Sequence, residues 1–318
     1  MAPPETPAAG LIDVHCHLAA LPTPGNGCRM SRKMLRGPLL RATAWAEGYP
    51  LEDPERTNAL YLEKLLGRLS ASTRVSRAVL LALDGAYGAD GRLDEARTSM
   101  LISNDAVFSA CAASGGKLLP GASVNPARRD ALEELERCAA KGAVLIKVLP
   151  NAQGFDPGQQ RYEAFYRALA RLRLPLLSHI GAEFSVASED GHQDLGEPGR
   201  LERALDAGAA VIAAHGCSSG RLFGSLFSEP HLETALRLAW RHPRFFMDAS
   251  ALTLPNRVAM AVRLARQPAL QERLLFGTDY PLVVCWPGSN YFDRGAAALE
   301  ALGLRCGADP AAVLRLPT

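Results

Sequence analysis

The sequence predicts an α/β fold, a TIM-type (β/α)8 barrel with a long loop inserted after its first strand. Three observations carry this expectation. Short continuous apolar runs, each ended by a turn signal, read as strands buried on both faces of a parallel sheet. They alternate with stretches of helical spacing until eight of each are counted. The polar tips Lys147, His179, His215, Asp248 and Asp279 stand 32, 36, 33 and 31 residues apart, the length of one strand, one helix and modest loops. A doubly wound open sheet is the competing arrangement. It would carry a glycine-rich phosphate turn after the first strand, where His15-Cys16-His17-Leu18 stands instead.

The first strand, Gly10 to Leu18, ends in two histidines one residue apart. Alternate side chains of a strand share a face, so His15 and His17 can grip one metal ion from one side, while Cys16 points away and packs as a small hydrophobe. Residues 19–54 follow, with prolines at 22, 24, 38, 50 and 54 and glycines at 25, 27, 37 and 48. That breaker content predicts a loop, and its place after the histidines predicts a lid or wall over the site. It carries Arg29, Arg32, Lys33, Arg36 and Arg41 against Glu47, Glu52 and Asp53. Most of these charges read as solvated surface, with the basic excess, Arg29 included, available to an anionic substrate group.

The regular alternation begins with helix Glu55 to Leu69 and the strand run Arg77 to Asp84. Helix Ser103 to Ala113 precedes strand Leu118 to Val124, and helix Arg128 to Lys141 precedes strand Ala143 to Leu149. Helix Gln160 to Leu172 leads to strand Leu174 to Gly181, and helix Gly199 to Ala207 to strand Ala209 to Gly216. Helix His231 to Arg241 precedes strand Arg244 to Asp248, helix Arg257 to Ala265 precedes strand Arg273 to Asp279, and helix Arg294 to Leu302 closes the series. All 318 residues read as one barrel domain, with chemistry expected at the C-terminal ends of its strands.

Composition bounds the partners. Lysine plus arginine number 35 against 33 aspartate plus glutamate, a net charge of +2 that gives no argument for nucleic acid or an anionic membrane. No apolar run approaches the roughly 20 residues of a spanning helix. Seven irregularly spaced cysteines fit a reduced compartment, and the first ten residues lack the features of a signal peptide, so a cytoplasmic protein is expected. Homo-oligomerisation is left open, and the expected partner is a small-molecule substrate.

Four of seven histidines, His15, His17, His179 and His215, lie at ends of expected strands, as does Asp279. Strand ends of a barrel converge on one mouth, so these residues are expected to meet. Parity along Leu177 and His179, Ala213 and His215, and Leu275, Gly277 and Asp279 points each of them inward. The loop residues Asn151, Glu183 and His192 are candidates for orienting substrate.

With Ile12-Asp13-Val14-His15-Cys16-His17, Ile146-Lys147-Val148-Leu149-Pro150, Leu176-Leu177-Ser178-His179-Ile180-Gly181, Ala213-Ala214-His215 and Phe276-Gly277-Thr278-Asp279-Tyr280-Pro281, the chain resembles the amidohydrolase superfamily. Within it, the resemblance is to the branch of aminocarboxymuconate semialdehyde decarboxylase-like metal-dependent hydrolases. It implies that His15, His17, His179 and Asp279 bind one divalent metal, commonly zinc, and that His215 faces the substrate. Asp279 would then move the proton of a water acidified by the metal, and His215 would polarise the scissile carbonyl. The resemblance also admits a two-metal arrangement with a carboxylated Lys147 bridging the ions. The implied activity is hydrolysis of an amide, ester or lactone bond of a small carboxylate-bearing molecule. Decarboxylation of an unsaturated or aromatic acid is the alternative, and a non-catalytic binding barrel a third reading.

Overall fold

A computed structural model describes residues 10–221, 229–281 and 290–317. The expectations for the first nine residues and for Cys285 therefore lie outside the described residues. Eight parallel strands run in chain order around one sheet: β1 (Leu11–His17), β2 (Val75–Leu81), β3 (Leu118–Ser123), β4 (Leu145–Val148), β5 (Leu176–Ser178), β6 (Val211–Ala213), β7 (Phe245–Asp248) and β8 (Leu274–Leu275). Each pairs with the next, and the last segment returns to the first. Val14 N–H donates to Phe276 O (3.0 Å), Asp279 N–H to His15 O (2.8 Å) and His17 N–H to Tyr280 O (2.8 Å). The barrel expectation is met, and the open sheet is set aside.

Helices α1 (Pro54–Ala71), α2 (Asn104–Ala112), α3 (Ala131–Ala140), α4 (Glu163–Leu172), α5 (Glu202–Asp206), α6 (His231–Arg241), α7 (Val258–Leu264) and α8 (Tyr291–Ala301) alternate with the strands. Their starts follow local chemistry. The Ser103 hydroxyl accepts from the Ala106 N–H at 3.1 Å and caps α2, while α1 begins on Pro54, where the missing proline N–H costs nothing. One apolar cluster, including Ile12, Val14, Val79, Leu81, Leu145, Leu177, Ile212 and Leu275, fills the barrel. A larger one, including Cys16, Leu80, Leu135, Leu169 and Leu238, lies between strands and helices. Cys16 thus points away from the interior, as expected.

Two departures matter for the site. Residues 19–54 are not simply a loop: they hold helices Arg32–Leu35 and Pro38–Glu47, and Arg29–Met30 pairs antiparallel with Met100–Leu101. Pro38 opens the second helix and Gly48, at φ 66°, ends it, so residues read as breakers act as helix boundaries. The second departure is in β1. From Asp13 to Cys16 the strand takes three steps while its partner takes two, Ala78 to Leu80. This bulge resets the side-chain parity. Ile12 and Val14 fill the barrel below it, and beyond it His17 stands across from the interior Leu81.

No helix among the described residues is long and apolar enough to cross a membrane.

Candidate metal centre

The strand tips bring together His15 and His17 from β1, Lys147 from β4, His179 after β5, His215 after β6, Asp248 from β7 and Asp279 after β8. Nε2 of His15, Nε2 of His17 and Oδ1 of Asp279 form a triangle with edges of 3.2, 3.1 and 3.4 Å. Donors around a tetrahedral zinc with bonds of about 2.0–2.1 Å lie about 3.3 Å apart, so the triangle has the size such an ion requires. Asp279 adopts φ 67°, a left-handed turn immediately beyond β8 that places its carboxylate beside both imidazoles.

The tautomers follow from the partners. His15 Nδ1 lies 2.8 Å from Asp248 Oδ2. A carboxylate only accepts, so Nδ1 carries the proton and Nε2 keeps its lone pair for the triangle. His215 Nδ1 faces the Ser250 carbonyl at 3.3 Å and its hydroxyl at 2.9 Å, so its Nε2 is likewise the acceptor. That acceptor meets His179 Nδ1 at 3.1 Å, which places the His179 proton on Nδ1. His179 Nε2 is then a buried lone pair, and it has no hydrogen-bond partner. His179 stands with His215 and outside the close grouping of His15, His17 and Asp279.

His215 does not reach the mouth by strand parity. Ile212 and Ala214, not Ala213, belong to the barrel interior. The ring is turned inward by left-handed backbone at His215 (φ 59°) and Gly216 (φ 61°). Ser250 Oγ also lies 3.0 Å from His15 Nδ1 and donates to Asp248 Oδ1. The same Oδ1 accepts the backbone N–H of His215 and of Ser250, each at 3.0 Å. Asp248, expected only as a strand tip, is thus the anchor of two histidines. Its place in the regular spacing of tips was the signal. Ser250 had none, since it lies in irregular loop, and Arg257 was legible only as the first residue of an expected helix.

Charge in the mouth is strongly modulated. Burial pushes the Asp248 carboxyl up, but the attraction of His15 and hydrogen bonds from His15 and Ser250 outweigh it and bring it to about 2. Burial likewise opposes, and the hydrogen bond from His17 and the charge of His15 overcome, the shift of Asp279, which stays below the usual carboxylate range. Burial first and the Arg257 guanidinium second push His179 and His215 well below the ordinary imidazole value. Both are neutral at physiological pH. Burial brings Lys147 down to about 8, and its Nζ lies 3.1 Å from His15 Nε2.

The loop candidates divide. Glu183 is partly buried and held by Val186 N–H at 2.9 Å and by Ser185 N–H, 3.5 Å from His179 Nδ1; desolvation raises its carboxyl. Asn151 is buried, but its amide donates to Gly181 O (3.2 Å) and Gln193 O (3.1 Å), tying the loop after β4 to the loop after β5. His192 sits near the rim, 3.4 Å from Glu189. Arg29 is not brought to the mouth: it is half exposed and pairs with Glu95 at 2.5 Å. Arg257, not singled out in the sequence, is the buried cation instead, with Nη1 donating to Ile180 O at 3.3 Å and Nη2 to Ala182 O at 3.4 Å.

Comparison with known proteins bears on the fold and the family. No curated protein matches the chain. Among solved structures, it is similar to a protein of Acinetobacter baumannii described as a probable 2-pyrone-4,6-dicarboxylic acid hydrolase with citric acid bound. The two are 14% identical with a TM-score of 0.57, over 93% of this chain and 96% of that one. It is also similar to 2,6-dihydroxybenzoate decarboxylase from Rhizobium, at 14% identity and TM-score 0.53, over 95% and 97%. A third is a 5-carboxyvanillate decarboxylase of Novosphingobium aromaticivorans with bound manganese, at 15% identity and TM-score 0.52, over 96% of each chain. At such identities the likeness is one of fold. The family model described as amidohydrolase matches residues 12–313, from the β1 histidines to the last helical turn, and the chain belongs to the amidohydrolase family.

Proposed function

We propose that this amidohydrolase is a metal-dependent hydrolase that cleaves an amide, ester or lactone bond of a small carboxylate-bearing molecule. The observation that carries the reading is the triangle of His15 Nε2, His17 Nε2 and Asp279 Oδ1, with the unpartnered buried Nε2 of His179 in the same mouth. These donors suit one divalent ion, zinc or a similar borderline metal, which would supply Lewis acidity toward water and a carbonyl oxygen. A second ion bridged by carboxylated Lys147 would fall to His179 and His215, and it is disfavoured because His215 Nε2 already accepts from His179 Nδ1 at 3.1 Å.

The chain's own residues divide the remaining work. Asp279, held ionised, accepts the proton of the attacking water and returns it to the leaving group. The Nε2 lone pair of His215 is filled by the His179 Nδ1–H, so His215 orients His179 rather than polarising the scissile carbonyl, the part its position alone implies. Lys147, with a pKa of about 8, keeps an N–H donor in the mouth and takes over that polarisation. Arg257 supplies buried positive charge that favours a carboxylate-bearing substrate, the part first assigned to Arg29.

Decarboxylation of an aromatic or unsaturated acid is the second reading. The same two cations favour it by drawing a carboxylate into the mouth, and two structural neighbours carry names of that kind. One experiment separates them. Protein reconstituted with zinc or manganese is offered panels of lactones, amides and aromatic acids, and acid release is measured beside carbon dioxide. Acid without carbon dioxide supports hydrolysis, and carbon dioxide supports the second reading. Asp279→Asn should lower either turnover by at least about 100-fold, and metal analysis should find one ion per chain. Full activity in that variant would overturn the site.

A further inference from the structure

We propose that the cleft between the loops after β2, β3 and β4 is a second binding site, selective for small aromatic carboxylates. It encloses about 370 Å³, within the range of roughly 300–1,000 Å³ typical of small-molecule sites. It shares no lining residue with the histidine cluster. Its walls are the half-buried ring of Tyr87 and the buried ring of Tyr162, and its charges are the guanidinium groups of Arg97 and Arg161.

Three features give it the character of a built site. Arg161 lies over the Tyr162 ring, 4.8 Å from its centre, and makes no ion pair among the described residues, so its planar fork is available to an oxyanion. The Tyr162 hydroxyl, on a side chain only 4% exposed, has the Arg161 guanidinium as its polar neighbour, and no described residue accepts its O–H. A buried O–H without an acceptor is costly unless something fills that place. Arg97 is seated rather than loose: Nε and Nη2 donate to Glu189 at 2.6 and 2.9 Å, leaving Nη1 for a ligand. A Cβ on Gly154, which adopts φ +66°, would come within 2.8 Å of Arg97 Nη2. Glycine at this position lets the guanidinium lie against the backbone. The uncompensated Arg161 selects an oxyanion, with Arg97 Nη1 as a further donor, and two tyrosines in the lining favour an aromatic ligand.

Titration calorimetry on the full chain tests this with three probes: benzoate, cyclohexanecarboxylate and inorganic phosphate. Benzoate should bind more tightly than either of the others. Arg161→Gln, a change at an exposed position that leaves the fold intact by circular dichroism, should weaken benzoate at least about tenfold. Tyr162→Phe should weaken it less, and Asp279→Asn should leave it unchanged. Wild-type affinity in Arg161→Gln, or loss of binding in Asp279→Asn, would overturn the site; in the second case benzoate would be reporting the histidine cluster. Equal binding of phosphate or cyclohexanecarboxylate would overturn the aromatic preference.

Discussion

Asp248 does more to order the mouth than any residue whose atoms line the donor triangle. One carboxylate oxygen fixes the His15 ring at 2.8 Å, and the other gathers the N–H groups of His215 and Ser250 at 3.0 Å each. It therefore sets the His15 tautomer directly and holds the His215 turn through the backbone. A group behind a metal-binding histidine typically contributes 10–100-fold in metal affinity. Asp248→Asn offers an amide that can donate to Nδ1 and turn the imidazole to the wrong tautomer, so zinc affinity, measured by competition with a chelating dye, should fall by about that factor. Ser250→Ala should fall less, because the Ser250 carbonyl still faces His215 Nδ1 at 3.3 Å. Unchanged affinity in Asp248→Asn would show that packing alone orients His15.

At the scale of elements, a three-residue clamp ties the segment 19–54 to the site. Arg68, on α1, donates twice to Glu47 at the end of helix Pro38–Glu47, at 2.9 and 2.8 Å, and once to the Tyr280 hydroxyl at 2.9 Å. Tyr280 follows Asp279, so the inserted helix and the turn that carries the proposed ligand Asp279 share an anchor. Arg68→Gln removes the bidentate pair. If residues 19–54 wall the mouth as the sequence predicts, limited proteolysis of Arg68→Gln should accelerate within 31–49 and KM should rise more than kcat falls. Proteolysis at the wild-type rate would detach the segment from this clamp. The clamp itself was invisible in sequence, since Glu47, Arg68 and Tyr280 obey no spacing rule. What the sequence made legible was periodic: buried strands such as Phe245–Asp248, helix His231–Arg241 to the residue, and tips spaced by one βα unit. What it hid was local backbone geometry. Pro38 and Gly48 looked like breakers and are helix ends. The β1 bulge and the positive φ of His215 overturn simple alternation, and both depend on tertiary contacts that period-2 patterning does not encode.

The whole molecule depends on joining strands from opposite ends of the chain, and that junction is also where the proposed metal ligands sit. Asp13, fully buried in β1, accepts the Thr278 hydroxyl at 2.5 Å and N–H at 3.1 Å, and the His15 N–H at 2.9 Å. A single side chain thus ties the first strand to the last, one residue before Asp279 and two before His15. Closure and ligand placement are the same interaction seen at two scales. Thr278→Val keeps the shape but removes the hydroxyl, leaving the carboxylate one donor short in a dry environment, at a cost of about 1–3 kcal/mol. Unfolding in urea should show that loss, and metal affinity should fall with it, since the loosened β8 end carries Asp279. Thr278→Ser restores the donor and should recover both. If Thr278→Val loses stability but keeps its metal affinity, closure and ligand placement are separable. If both are unchanged, the backbone hydrogen bonds of Val14, His17 and Asp279 suffice to close the barrel.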